Sequence, residues 1–275
     1  TFYFQLANVT PLPRADALNH TMPSISILLV LLGICPQIEG FVLSRGRAQN
    51  QLSWGEARAK AATTVAQLER NELKQIIRGS HFAATGSPDV GFYVGNTPAI
   101  HRLGIPALKM QDAAQGFRAT EPKTDGTTTA WPCMLALAST WDEELVGLVA
   151  ASIGDEFKGK GANVILGPSI NVHRPAAGGR NFEYLSGEDP YLGARLTRAY
   201  VRGVQDRGVM AVAKHFAFNE QETNRMNMSA KVGPRTKWEL YYPPFKAAVD
   251  AGVGAFMCAY NKVNGTYACH NHDIL

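Results

Sequence analysis

Four short apolar runs alternate with amphipathic segments after about residue 50, and this alternation restricts the possible folds more than any other feature. The runs occupy residues 105–111, 162–167, 209–216 and 254–260. Each has the length of a buried strand and is too short for a typical helix. Apolar strands that alternate with amphipathic helices imply parallel strands covered by helices, so the chain is predicted to be an α/β protein.

The segments with helical spacing of apolar residues are 56–78, 140–159, 191–207 and 236–251. Asn71 is a candidate interruption of the first segment. Acidic residues open the second, as the helix dipole favours, and Gly208 ends the third. The pair Pro243–Pro244 falls inside the last segment, so we predict that one helix stops there and another begins.

No Gly-x-Gly-x-x-Gly follows the first strand and no Walker motif occurs, which disfavours the nucleotide-binding α/β folds. The pattern favours a (β/α)8 TIM-type barrel, incomplete in this chain. Four strands are clear and a fifth is a candidate at residues 91–94, whereas a closed barrel needs eight strands and about 250 residues. We assign residues 51–275 to a partial barrel domain and residues 1–50 to a leader.

The leader contains an apolar core at residues 25–34, just after Met22. About ten apolar residues cannot span a bilayer, which needs roughly 20, but they suit a signal peptide at about residues 22–40. Residues 1–21 would then precede the true start. A buried helix and untranslated sequence read in frame are the alternatives. We expect secretion, or delivery to a lysosome- or vacuole-like compartment.

Two further features bear on the compartment. Asn-x-Ser/Thr sequons at Asn8, Asn19, Asn227 and Asn264 support export weakly. Cys258 and Cys269 would pair in an oxidising compartment, but free thiols in the core are an equal alternative.

The charge balance argues against a nucleic-acid partner. Lysine and arginine number 27 against 23 acidic residues, and no long basic run occurs. No further apolar stretch is long enough for a membrane span, so we expect no membrane partner. Residues His173 and His215 follow different strands and lack a cysteine pair nearby, so no zinc spacing is present. No Gly-x-Ser-x-Gly elbow occurs.

Polar residues follow each predicted strand. Asp112 follows the first; His173, Arg174 and Arg180 follow the second; Lys214 and His215 end the third; Tyr260 and Asn261 end the fourth. Chemistry in a (β/α) barrel collects on the loops after the strands, so these groups should share one face. Charged donors and acceptors there suit a ring of sugar hydroxyls, because hydrogen bonds to ions are the stronger kind.

Four motifs carry a resemblance to glycoside hydrolase family 3, and specifically to its β-glucosidases, over residues 55–275. They are QDAAQGFR at 111–118, the stretch from GPSINVHR to GEDPYLG at 167–193, KHFAFNEQETNR at 214–225 and MCAYNKVNG at 257–265. The resemblance implies that Asp112 grips two hydroxyls of the non-reducing glucose. By motif match the remaining sugar-binding residues would be Arg118, Arg174, Lys214, His215, Arg225, Met257 and Tyr260. Arg180 is expected to be a structural ion-pair partner of Glu183, Glu188 or Asp189.

Two local features qualify the resemblance. An aspartate at position 112 fits glucosidases better than the related xylosidases. Ala113–Ala114 stands where the family usually has Gly-Pro. The substrates implied are β-glucosides or gluco-oligosaccharides, with no metal and no organic cofactor.

The resemblance also implies a retaining double displacement, which needs a nucleophile and an acid/base about 5–5.5 Å apart. The family's aspartate nucleophile and glutamate acid/base are expected beyond Leu275. The isolated chain should therefore be inactive and should need the C-terminal part of its own chain. The runner-up function is a β-xylosidase or broad exo-glycosidase of the same family. A non-catalytic sugar-binding remnant is the alternative from another class.

Overall fold

The computed structural model describes residues 52–80 and 91–275. The leader and signal-peptide predictions lie outside these residues and stay predictions. The helices are α1 Trp54–Val65, α2 Arg70–Arg78, α3 Met134–Ala138, α4 Glu143–Gly159, α5 Pro190–Gln205, α6 Pro234–Thr236 and α7 Tyr242–Asp250. The strands are β1 Gly95–Asn96, β2 Lys109–Gln111, β3 Val164–Ile165, β4 Met210–Phe216, β5 Ser229–Ala230, β6 Ala255–Cys258, β7 Lys262–Val263 and β8 Thr266–Tyr267.

The main sheet has five strands in the order β1-β2-β3-β4-β6. Strands β2, β3, β4 and β6 run parallel, and β1 pairs antiparallel with β2. Helix α4 lies between β2 and β3 in the chain, α5 between β3 and β4, and α7 between β4 and β6. This βα order confirms the α/β class and the partial barrel predicted from the four apolar runs.

Three details differ from the sequence prediction. Residues 56–78 form two helices with a break at residues 66–69. Asn71 lies in the first turn of α2 and therefore does not interrupt a helix. The fifth strand lies at Gly95–Asn96 and not at residues 91–94. A new helix begins at the proline pair, as predicted, but the preceding helical turns run directly into it. A π-helical turn, Lys237–Tyr241, leads into α7, whose second and third residues are Pro243 and Pro244. Proline is tolerated in the first turn of a helix, so the pair starts α7.

The two faces of the sheet bury different side chains. On β4, Ala211 and Ala213 join the large core formed with the helices, while Val212 joins a smaller cluster with Val164 and Ala255 on the other face. Successive residues of a strand point to opposite faces. The smaller cluster therefore marks the inner face of the curled sheet, and Lys214, two residues after Val212, follows it on that face.

A second, three-stranded sheet, β5-β7-β8, follows the main one in the chain. A disulfide joins Cys258 at the end of β6 to Cys269, with the two Cα atoms 5.5 Å apart. The pairing left open by the sequence is therefore formed, while Cys133 is a free thiol. None of the helices in residues 52–80 and 91–275 combines the length and apolar character of a membrane span.

Candidate functional site

A cleft of about 490 Å³ opens where β2, β3 and β4 end. It is lined by Asp112, Ala113, Gln115, Gly116, Phe117, Arg118, Thr129, Ala130, Trp131, Arg180, Glu183 and Lys214. We call it the main cleft. Charged side chains from three strand ends meet in it, as expected where parallel strands share one edge.

The loop after β2 presents Asp112 to the main cleft. The Arg118 Nη1 atom lies 3.2 Å from Asp112 Oδ2, and the Arg118 backbone N–H donates to the Asp112 carbonyl at 2.9 Å. Gln111 is fully buried and donates through Nε2 to the Arg118 carbonyl (2.9 Å) and to Thr120 Oγ1 (3.1 Å). A buried amide with satisfied hydrogen bonds fixes the loop on which the aspartate sits.

Lys214 reaches the main cleft from the end of β4. Its side chain is 3% exposed, and the ammonium forms no hydrogen bond or ion pair within the described ranges. Burial lowers the pKa of Lys214, while the nearby carboxylates of Glu183 and Asp112 oppose that shift. The ammonium is thus a buried donor that a ligand in the cleft can satisfy.

Arg180 and Glu183 come from the loop between β3 and α5. They form a direct ion pair in which Glu183 is buried. Arg180 Nη1 also lies 3.7 Å from Glu222 Oε1. The structure thus shows the ion pair with Glu183, one of the three partners expected for Arg180. It also places both residues in the lining of the main cleft, so Arg180, expected as an ion-pair partner among the strand-end residues, also faces the ligand space.

Glu222 links Arg180 to a second arginine, Arg225, whose Nη1 lies 3.2 Å from Glu222 Oε2. The Arg225 guanidinium stacks over the ring of Tyr260, 4.8 Å from the ring centre. Tyr260 is half exposed at the rim. Arg225 and Tyr260 are therefore connected to the main cleft through the Glu222 bridge without lining it.

His215 is buried. Its Nδ1 is 2.6 Å from the Tyr184 hydroxyl, and its backbone N–H donates to Asn171 Oδ1 at 2.7 Å. Burial lowers the pKa of His215 well below its ordinary value, and the charge of Lys214 lowers it further. The imidazole is therefore neutral at pH 7, and a Tyr184 hydroxyl that donates to Nδ1 leaves the ring proton on Nε2.

Met257 lies beside Lys214, since the two are register partners on β6 and β4. It packs against the inner cluster that contains Val212 and Ala255. Met257 thus packs in the inner cluster and adjoins a residue of the main cleft, and its contact with a sugar stays a prediction.

Arg174 lies in a different cleft from Asp112 and Lys214. It lines a second cleft of about 470 Å³ with residues of β5 and with Phe218, Glu220 and Tyr241. Burial raises the pKa of Tyr241, and the positive charge of Arg174 opposes that rise. Burial raises the pKa of Glu220 to about 7, against a hydrogen bond from Asn171 and the charge of Arg174. The structure does not bring Arg174 together with Asp112 and Lys214.

Of the predicted set, Asp112, Arg118 and Lys214 share the main cleft, with Met257 beside Lys214. Among the other lining residues, Arg180 and Glu183 were expected only as members of a structural ion pair, and Trp131 was not expected at all. The signal for the first two was their place after β3, whereas no motif pointed to Trp131. No group of three or more potential metal ligands occurs in the part of the chain that the structure describes.

A family profile described as the glycosyl hydrolase family 3 N-terminal domain matches residues 46–275. The chain therefore belongs to glycosyl hydrolase family 3. A β-glucosidase of Rhizobium radiobacter is 47% identical over 181 residues, which cover 65% of this chain and 22% of that protein. Thermostable β-glucosidase B of Acetivibrio thermocellus is 38% identical over 212 residues. The matched region covers 74% of this chain and 28% of the β-glucosidase. The chain spans about a quarter to a third of these and other relatives.

Solved structures agree with this assignment. β-Glucosidase 3B of Thermotoga neapolitana in complex with glucose matches with a TM-score of 0.69 and 36% identity, covering 78% of this chain and 31% of that one. The β-D-glucoside glucohydrolase of Trichoderma reesei matches with a TM-score of 0.70 and 39% identity. The match covers 78% of this chain and 29% of the glucohydrolase.

Proposed function

We propose that this chain forms the glucose-binding part of a β-glucosidase that removes terminal non-reducing β-D-glucosyl residues. The observation that carries the proposal is the meeting of Asp112, Arg180 and Lys214 in one cleft at the strand ends. The glucose complexes of related β-glucosidases support the same substrate class.

The chemistry of the main cleft suits a hexose. The Asp112 carboxylate accepts hydrogen bonds from sugar hydroxyls, while the Lys214 ammonium and the arginines donate to hydroxyl oxygens. Such charge-assisted bonds are about twice as strong as neutral ones. The buried Lys214 ammonium gains the partner that the described residues leave it without, and this gain favours the bound state.

We propose the retaining mechanism for the whole protein, with its nucleophile and acid/base supplied by residues beyond position 275. Within the main cleft, Asp112 and Glu183 are each paired with an arginine. Carboxylates held in this way suit substrate binding better than nucleophilic attack. We accordingly propose that the isolated chain hydrolyses no glucoside at a measurable rate.

We also propose that the protein works outside the cytosol. The Cys258–Cys269 disulfide supports this, because disulfides persist in oxidising compartments.

Calorimetric titration with glucose tests the binding proposal. Asp112→Asn should weaken glucose binding by at least about tenfold, because it removes a charged acceptor. Asp155→Asn is the matched control: Asp155 lies on α4 and pairs with Arg207. An equal loss of affinity in both variants, or tighter binding of xylose than of glucose, would reject the assignment to glucose.

An activity assay tests the second proposal. Turnover of an aryl β-glucoside by the isolated chain at an ordinary glycosidase rate would reject the proposal that the nucleophile and the acid/base lie beyond position 275.

A further inference from the structure

We infer that Trp131 is the aromatic wall of the main cleft against which a pyranose ring packs, and that Glu156 is the residue that positions it. The inference rests on the proposed function, since it assigns a further contact to the same ligand. No motif in the sequence pointed to either residue.

The indole of Trp131 is fixed at its polar end. Trp131 Nε1–H donates to Glu156 Oε2 at 2.9 Å, and the Thr129 backbone N–H donates to Glu156 Oε1 at 2.9 Å. Both oxygens of one carboxylate on α4 therefore hold the short segment 129–131 in place. The anchor is rigid because α4 packs into the large core through Phe157 and Ile153.

The loop that carries Asp112 packs against the same indole. Gly116 adopts a φ of +130°, and a Cβ atom placed there would come within 2.8 Å of Trp131 Cδ1. Glycine thus permits the Asp112 loop to approach the ring closely. Trp131 and Asp112 are thereby brought to one cleft, although 19 positions separate them in the chain.

The orientation of the indole has a chemical consequence. Because the only polar atom of its side chain is satisfied by Glu156, the ring offers carbon surface to the cleft. Five of the other residues that line the cleft are charged, namely Asp112, Arg118, Arg180, Glu183 and Lys214. A pyranose has a polar rim of hydroxyls and apolar faces of C–H groups. Charged groups match the rim, and an aromatic wall matches a face.

A purely structural role is the alternative, since Trp131 also packs against the large core. Tryptophan fluorescence separates the two roles. The chain has four tryptophans, and two of them, Trp141 and Trp238, are about 70% exposed and do not line the cleft. A change of emission on sugar binding is therefore assigned by removing one indole at a time.

The experiment titrates the 275-residue chain with glucose and with cellobiose and follows both fluorescence and heat. We expect the sugar-induced emission change to be lost in Trp131→Phe and kept in Trp141→Phe. Trp131→Leu should weaken binding by about fivefold to tenfold, the size of an aromatic contact, against less than about twofold for Trp141→Leu. Glu156→Gln should weaken binding about threefold, because one of the two accepted hydrogen bonds is lost.

Thermal melting of each variant gives the control for folding. A folded Trp131→Leu chain that binds within twofold of the wild type would overturn the inference, and so would a Trp131→Phe chain that keeps the emission change. Should Trp131→Leu fail to fold, the Trp131→Phe fluorescence decides alone. Wild-type protein that takes up no glucose in calorimetry would instead refute the proposed function, and the inference with it.

Discussion

Each of the two clefts contains an arginine and a glutamate, but the two side chains form a direct ion pair in only one of them. In the main cleft Arg180 and Glu183 form a direct ion pair beside the Lys214 ammonium. In the second cleft Arg174 lies near Tyr241 and Glu220 without a direct ion pair, and the Glu220 carboxyl accepts its hydrogen bond from the neutral amide of Asn171. Burial raises the pKa of Glu220 to about 7, and the Asn171 hydrogen bond and the charge of Arg174 offset only part of that rise. The comparison shows that a buried carboxyl without a direct ion pair gains little compensation for its lost hydration.

The largest expected effect separates the two arginines. Arg180→Met removes the partner of a buried carboxylate and should lower the free energy of unfolding by about 3 kcal/mol. It should also abolish measurable glucose binding. Arg174→Met should leave the glucose dissociation constant within about twofold, because Arg174 faces the other cleft.

Urea unfolding and calorimetry on both variants check this pair. The reverse pattern, with Arg174→Met losing glucose and Arg180→Met keeping it, would restore the assignment made from the sequence and break the comparison between the clefts.

Removal of the disulfide should destabilise the chain somewhat less. The loss of local stability should be concentrated around the second cleft. Replacing Cys258 and Cys269 by alanine should lower the free energy of unfolding by about 2–3 kcal/mol, as expected for a closed loop of this length. Strands β7 and β8 lie inside that loop, and β7 pairs with β5 in the wall of the second cleft. Hydrogen exchange should therefore speed up at residues 228–232 and 262–267 more than at 162–166. Cys133→Ala, which removes a free thiol, is the control, and uniform loss of protection would contradict the prediction.

The smallest expected effect is a pH dependence. The Glu220 carboxyl keeps its proton up to about pH 7 in the folded chain, whereas its ordinary pKa is 4.5. The folded state then binds more protons than the unfolded state between these values, so the free energy of unfolding falls as the pH rises from 4.5 to 7. Glu220→Gln should remove this loss, so the variant gains stability relative to the wild type as the pH rises. Denaturation at pH 4.5 and pH 8 measures it, with Glu222→Gln as control, and parallel profiles for wild type and Glu220→Gln would contradict it.

The sequence predicted the positions that follow from strand ends. Asp112 and Lys214 each end an apolar run, and the carboxyl ends of parallel strands meet at one edge. Their meeting in the main cleft was therefore predictable. Arg118 follows in the same loop, and its backbone contact to Asp112 confirms that the loop folds back locally.

Positions inside the long loop after β3 could not be predicted in this way. Arg174 and Arg180 lie six residues apart, and Gly178 and Gly179 stand between them. A Cβ at Gly178 would come within 2.4 Å of Asn181 Oδ1, and one at Gly179 within 3.0 Å of Glu222 Cγ. The turn therefore depends on a local contact with Asn181 and on a contact with Glu222, which lies 43 positions after Gly179. The local sequence therefore does not predict that Arg180 lines the main cleft and that Arg174 lines the second cleft.

His215 shows a third situation. It directly follows Lys214, and alternation along a strand argues against both side chains facing one cleft. The structure places it behind the cleft lining, bonded to Tyr184. Its role as a sugar ligand stays a prediction.

The short strand β1 gives the main sheet two unlike edges. β1 runs against its neighbour, and Ser80 already donates from its backbone to the Asn96 carbonyl on the outer side of β1 at 2.7 Å. The opposite margin is formed by β6, which keeps the direction of the βα repeat. A further parallel strand that continued the βα repeat would pair with β6 through a right-handed crossover. A barrel closed in this way would have to meet an antiparallel strand, β1, at the other edge of the sheet.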